Sequence, residues 1–219
     1  MSERDQNEEK RGMIQRTSKV AFILAVCLAT PAISQADATR FQVSDGKATF
    51  VSDAPLETMT GTTAKVTGTV TFDPADLSTT KGTFKAPVVS MRTGNDLRDE
   101  HLQSDSWLDA KKNPHIVFEI IEVSGAESLK PKKNTKVKVK GKFTAHGITK
   151  IVEAKGTVKW TPVDGGKDEL RIKAKFTTKL EDHDVSVPAI VRLKVANEIT
   201  VAIDVQARGP ASSAQSASR

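Results

Sequence analysis

From Leu170 to Leu180 the chain alternates strictly between apolar and polar positions. Leu170, Ile172, Ala174, Phe176, Thr178 and Leu180 fall on one side, and Arg171, Lys173, Lys175, Thr177 and Lys179 on the other. The stretch before it repeats the scheme, with Val137, Val139, Gly141, Phe143 and Ala145 opposing Lys136, Lys138, Lys140 and Lys142. Val152, Ala154, Gly156, Val158 and Trp160 share a third face, and Ile199, Val201, Ile203 and Val205 a fourth. A period of two sustained over such lengths predicts antiparallel strands with one face buried and one wet.

Earlier segments fit the same plan. Lys47–Pro55 and Thr62–Asp73 are β-rich, and Gly82–Ser90 follows a predicted turn over Asp73–Gly82. His115–Gly125 reads as another strand, apolar on both faces for part of its length. Turn signals fall at Asp73-Pro74, Lys81-Gly82, Ser124-Gly125, His146-Gly147 and Asp164-Gly165-Gly166. About eight strands with short connections predict an all-β domain, either a closed antiparallel barrel or a sandwich. A barrel of that size can hold one small apolar ligand. The alternation does not distinguish the two architectures.

Gly94–Pro114 interrupts the β pattern. Asn95 or Asp96 is placed to cap one or two helical turns over Leu97–Ser104, and Ser104 or Asp105 a second short turn. Pro114 then restarts extended chain. The segment is predicted to be a crossover lying over a barrel end or seam.

The amino terminus belongs elsewhere. Val20–Ala32 is apolar, preceded by Arg11, Arg16 and Lys19 and followed by small residues, as in a secretory signal peptide. It is too short for a bilayer span, which needs about 20 apolar residues. Cleavage is expected after Ala36 or Ala38, and a start at Met13 gives the better basic region. The expected layout is a removed signal over 1–38, a domain over 39–208 and a disordered tail over 209–219. The product is periplasmic or secreted. Cys27, the one cysteine, lies in the signal, so the mature chain has no disulfide or thiolate metal site. The whole chain has 33 basic and 27 acidic residues. The signal removes equal numbers of each and leaves the surplus of +6 intact.

The densest polar cluster is Arg98-Asp99-Glu100-His101. Consecutive residues on a helix diverge by about 100° and do not converge on one substrate. His101 at helical spacing from Asp105 suggests an imidazole–carboxylate pair, the basis of an alternative reading as an exported lipid-directed enzyme. No nucleophile accompanies it, and capping is the better use of these residues. His183 lies among Glu181, Asp182 and Asp184, a set with metal-ligand chemistry, but alternate residues of extended chain point apart and a solvated loop is expected. His146 is placed in a hairpin turn and His115 at a strand start. The lysine rows read as the wet face of consecutive strands, with transient contact to an anionic membrane surface as the minority reading. They lack interleaved aromatics, which argues against nucleic acid.

Three stretches together resemble the YceI-like family of exported polyisoprenoid-binding proteins: Val66–Leu77, Ala86–Glu119 and Val139–Lys150. The most specific pieces are "RDEHLQSDSWLDAKKNPHIVF" and "GKFTAHGITK", supported by "LEDHDVSVPAI" near the end. The resemblance runs in order over Phe41–Ala207. Ser52–Gly68 lacks the aromatic G-x-F run of many members, marking a divergent subgroup. The resemblance implies an extended lipocalin-like barrel with a hydrophobic tunnel partly closed by the helical crossover. It also implies a bound long-chain isoprenoid, such as a quinone tail or polyprenyl lipid, without turnover and without a further cofactor or metal. Arg98, Asp99, His101 and His146 are then structural motif residues. Combining inward alternation with the crossover gives Phe84, Leu102, Trp107, Leu108, Phe118, Phe143, Trp160, Ile172 and Phe176 as expected tunnel lining. Oligomeric state is left open, a homodimer included.

Overall fold

The computed structural model describes residues 38–211. Met13, Cys27, Ala36 and the chain after Ala211 lie outside the described residues. The strand segments are β1 (Thr39–Asp53), β2 (Thr58–Thr63), β3 (Thr67–Asp73) and β4 (Asp76–Pro87), then a crossover containing helix α1 (Asp96–Gln103). β5 (His115–Ser124), β6 (Asn134–Ala145), β7 (Ile148–Thr161), β8 (Lys167–Lys179) and β9 (Glu198–Ala211) complete the chain.

These segments form one closed antiparallel barrel. From β3 onward each strand pairs with the next, and β9 returns to β1 from Ser52↔Ile199 to Gln42↔Arg208. β2 and β3 occupy a single place in the wall. Both run antiparallel to β1, β2 along Ala48–Asp53 and β3 along Thr39–Gln42. The break between them falls at Ala64–Val66, where the Thr63 hydroxyl accepts from Lys65 N at 3.0 Å and Val66 turns inward. Nine segments therefore make an eight-stranded barrel. Closure pairs the strands other than β2 on both sides, and the outer side of β2 meets the crossover at Thr62.

The strongly alternating strands lie as their pattern predicts, with Phe143, Ala154, Leu170, Ile172, Phe176, Ile199 and Val205 buried. Several boundaries differ. β1 begins at Thr39 rather than Lys47, because its first half has its own partner in β3. The predicted ten-residue turn after Asp73 is a short one, in which Asp73 Oδ1 accepts from Ala75 N at 2.8 Å. β4 starts at Asp76 and runs straight through Lys81-Gly82. Gly82 is a packing glycine there. A Cβ would sit 2.9 Å from the Thr69 carbonyl oxygen and 3.1 Å from Ile120, so neighbouring strands approach too closely for a side chain. β9 continues through Gly209 to Ala211, into what the composition marks as tail. At His146-Gly147 the expected hairpin turn does form. Both residues have positive φ, 49° and 75°, the signature of a type I′ turn.

The barrel has two unlike ends. The β3–β4 turn and the β5–β6 and β7–β8 loops share the end at which β1 starts and β9 finishes, called here the terminal end. The β1–β2 loop, the crossover, the β6–β7 hairpin and the β8–β9 loop share the other, the crossover end.

Candidate functional site: the barrel cavity and its cover

The inward faces enclose a cavity of about 190 Å³, counted as space open to the centre of a water-sized sphere. One water needs about 10–15 Å³ in that measure. The cavity runs from Leu77 and Leu129 at the terminal end to Met59, Met91 and Val185 at the crossover end. Its lining is almost wholly aliphatic and aromatic, and cavities of that character stay dry or take apolar guests. Thr80 Oγ1 is the one buried side-chain nitrogen or oxygen without a hydrogen-bond partner among the described residues.

Of the nine side chains expected from inward alternation and the crossover, Phe84, Leu102, Trp107, Leu108, Phe118, Phe143, Ile172 and Phe176 line the cavity. Trp160 does not. It sits near the terminal end of β7, where its indole Nε1 donates to Asp168 Oδ2 at 3.1 Å while Asp168 Oδ1 accepts from Val163 N at 3.0 Å. The buried Asp168 carboxylate ties the indole to the β7–β8 loop, where the ring packs against the core at the terminal end. Phe72, Leu170 and Ile203 also line the cavity and are legible in the same alternation. Met59 and Met91 carry no such signal, because β2 and the segment after Pro87 are too short to show a period.

One wall is aromatic. Phe176 lies between Phe118 and Phe143, with ring centroids 5.7 Å and 4.9 Å away. His183 meets Phe143 edge-on at 5.3 Å. This histidine is a correction to the solvated-loop expectation, since it is only 2% exposed. Its Nδ1 donates to the Ile148 carbonyl at 3.0 Å, which leaves Nε2 to accept from the Thr178 hydroxyl at 3.0 Å. The His183 carbonyl in turn accepts from His146 Nδ1 at 3.1 Å. One residue thereby ties the β6–β7 hairpin, the end of β8 and the β8–β9 loop together. Glu181, Asp182 and Asp184 are exposed around it and do not converge on the imidazole.

The crossover fills a gap in the wall. β4 stops at Pro87, short of β2, and beyond it only Arg92 pairs with β2, through mutual backbone hydrogen bonds to Thr62 of 2.8 and 2.9 Å. Asn95 caps α1, its side chain accepting from Arg98 N at 3.0 Å. Asp99 is 6% exposed and accepts from both Thr93 N and the Thr93 hydroxyl, at 2.8 and 2.7 Å. Arg98 reaches back to Glu57 in the β1–β2 loop, a 2.6 Å ion pair. With the helix anchored so, Leu102, Trp107 and Leu108 cover the cavity. Asp109 ends the second turn in a left-handed conformation, φ 44°. The Lys112 side chain beside it holds its carboxyl below the ordinary range, outweighing the upward push of burial. His101 is exposed, and its imidazole makes no hydrogen bond or ion pair among the described residues. The four consecutive polar residues therefore diverge into an inter-loop ion pair, a buried anchor and two solvated side chains.

Residues 35–207 match the YceI-like domain. A UPF0312 protein of Pseudomonas putida is 28% identical over 197 residues, covering 87% of this chain and 96% of the relative. Among solved structures, a polyisoprenoid binding domain from Saccharophagus degradans superposes with a TM-score of 0.61 at 12% identity, covering 78% of this chain and 98% of that one. Burkholderia cenocepacia BcnA superposes with a TM-score of 0.58 at 21% identity, over 74% and 95% of the two chains. At these identities the solved structures share the fold.

Proposed function

The chain belongs to the YceI-like family, and from that membership together with its cavity we propose that it is a binding protein that carries one long apolar chain, an isoprenoid or similar amphiphile, without chemical turnover. The observation that carries the reading is the apolar cavity running the length of a closed barrel. Burial of each methylene contributes about 0.8 kcal/mol. Two isoprene units supply about ten carbon groups, hence roughly 8 kcal/mol before the cost of immobilising the ligand is subtracted. Such a site needs no polar chemistry, and its lining offers almost none. The Saccharophagus relative, described as polyisoprenoid-binding, supports the same class of ligand.

An exported location goes with this reading, resting on the apolar run and basic flank before Ala36. The amino-terminal sequence of the processed protein tests it, with Asp37 or Thr39 expected as the first residue. The competing enzymatic reading gains nothing from the geometry of His101, which is exposed and far from convergent with any acid. Mass spectrometry of organic extracts from natively purified protein tests the carrier reading. A prenyl or long acyl lipid in stoichiometric amount is expected. An empty extract combined with no uptake of an added fluorescent prenyl probe overturns it.

A further inference from the structure

The outer surface of β6, β7 and β8 carries a concentration of positive charge that lipid storage inside the barrel does not require. β6 directs Lys136, Lys138, Lys140 and Lys142 outward, and β7 directs Lys155 and Lys159. β8 adds Lys167, Arg171, Lys173, Lys175 and Lys179. Only Glu153 and Glu169 oppose them on the outward side of these three strands, so the face holds a surplus of nine, larger than the +6 of the entire chain. The remainder of the molecule is correspondingly acidic.

Register makes the concentration sharper. Lys155 stands directly opposite Lys138 on one side and Lys175 on the other. Cross-strand neighbours have Cβ atoms about 5 Å apart, and like charges so placed oppose sheet formation. Ion pairs elsewhere on the face join Lys142 to Glu119, and Arg171 and Lys173 to Asp204. Lys138, Lys155 and Lys175 have none among the described residues. A shallow groove runs between these rows, lined by Lys136, Lys138, Lys155, Lys173 and Lys175 together with the small residues Gly156 and Ala202. Solubility alone is served by lysines of either strand order and any register. Three unpaired lysines in one cross-strand row carry a stability cost that an anionic partner relieves.

We propose that the β6–β8 face is a docking surface for an anionic lipid bilayer, with the Lys138–Lys155–Lys175 row at its centre. The face spans three neighbouring strands and lacks a buried polar pocket, which suits an extended charged plane better than one small anion. It also lacks exposed aromatic rings to stack bases. Ile151, exposed on β7 opposite Lys142, gives the face an apolar contact at its crossover end. The choice of a bilayer over another polyanion rests on the carrier reading, because a cargo of prenyl chains resides in membranes.

The test is cosedimentation of the purified protein with vesicles of phosphatidylglycerol mixed into phosphatidylcholine. Binding is expected to the anionic vesicles, to fall with added salt, and to be absent with phosphatidylcholine alone. A basic side chain near an anionic surface is worth about a fivefold factor in affinity, so the triple variant K138Q/K155Q/K175Q is expected to lose at least about twentyfold. It should melt no lower than the parent, because its repulsions are gone. Undiminished vesicle binding by this variant overturns the proposal, as does equal binding to neutral vesicles or none to either. Binding to dextran sulfate without binding to vesicles overturns it too and reassigns the face to a soluble polyanion. Prenyl-probe uptake is measured in parallel. The triple variant should retain it, and loss of uptake in the parent with vesicle binding intact would sink the carrier reading while leaving the docking face standing.

Discussion

The two ends of the barrel are closed by different means. At the terminal end the β5–β6 loop is stitched to its neighbours backbone to backbone. Leu77 N donates to the Glu127 carbonyl and Leu129 N to the Pro74 carbonyl, each at 2.8 Å, and Lys132 N to the Trp160 carbonyl at 2.7 Å. Beneath these bonds Leu77, Leu129, Phe72 and Leu170 are buried, and Phe41 packs on Phe72 at 4.9 Å. The crossover end adds side-chain ties to its backbone bonds: Arg98 to Glu57, Thr93 to Asp99, His183 to Thr178 and Ile148, and Ala196 N to Ser52 Oγ at 2.9 Å. It also leaves apolar side chains in solvent, Leu56, Val89, Leu97 and Leu193 among them, with Ile190 92% exposed. Local opening draws on regions with few buried apolar contacts. The terminal end thus forms a floor, and on the proposed carrier reading the crossover end is the expected place of ligand entry.

Breaking the floor has the largest expected effect. Leu129→Ala removes a buried side chain under a hydrogen-bonded loop and should cost about 2–5 kcal/mol, read as a lowered urea midpoint with an unchanged m-value. An unaffected midpoint would show that the floor is not part of the cooperative core.

His183→Ala should cost less, about 2–3 kcal/mol, since it removes two hydrogen bonds and an aromatic contact. Its effect should also be local. Hydrogen exchange should quicken in the His146–Ile148 hairpin and the β8–β9 loop while β3 and β4 stay protected. Uniform acceleration through the barrel would contradict the assignment of this histidine as a latch of one end.

Arg98→Ala breaks a half-exposed ion pair and should change stability by no more than about 1 kcal/mol. Release of a bound prenyl probe should nevertheless become faster, because the pair joins the crossover to the β1–β2 loop. Equal release rates would move the opening elsewhere on the crossover end.

The smallest effect is that of acid on the crossover. The Asp109 carboxyl is held below its ordinary value by Lys112, so its folded pKa is depressed relative to the unfolded chain. Its contribution is present above the unfolded value, about 3.9, and is lost as pH falls through the folded one. Trp107 fluorescence should report loosening of the crossover only in that acid range. Asp109→Asn, which tolerates the left-handed backbone, should remove this part of the pH dependence.

Much of the wall is legible in the sequence, because each of β6 to β9 buries one face and wets the other over ten or more residues. The Asn95 cap, the restart at Pro114 and the His146-Gly147 turn are legible for the same kind of local reason. β4 is less so. Its first half, Asp76–Lys81, is rich in Ser and Thr, and Lys81-Gly82 reads as a turn until the Thr69 carbonyl is seen against Gly82. In the lining, alternation locates Phe84, Phe118, Phe143, Ile172 and Phe176, but it does not register the buried Asp168 that hydrogen-bonds the Trp160 indole at the terminal end of the wall.

Period and face are thus written locally in the chain: which side chains of the long strands point inward, where the β pattern is interrupted, and that lysine dominates the outside of β6 and β8. Tertiary structure decided closure, through β1 meeting β9 at the far end of the chain, and so decided barrel over sandwich. It also decided the burial of His183 amid three exposed acids, and the direct alignment of Lys138, Lys155 and Lys175. Periodicity is a local property of the backbone, readable residue by residue. Closure, burial and register depend on which distant strand arrives alongside, and no stretch of the chain carries that information alone.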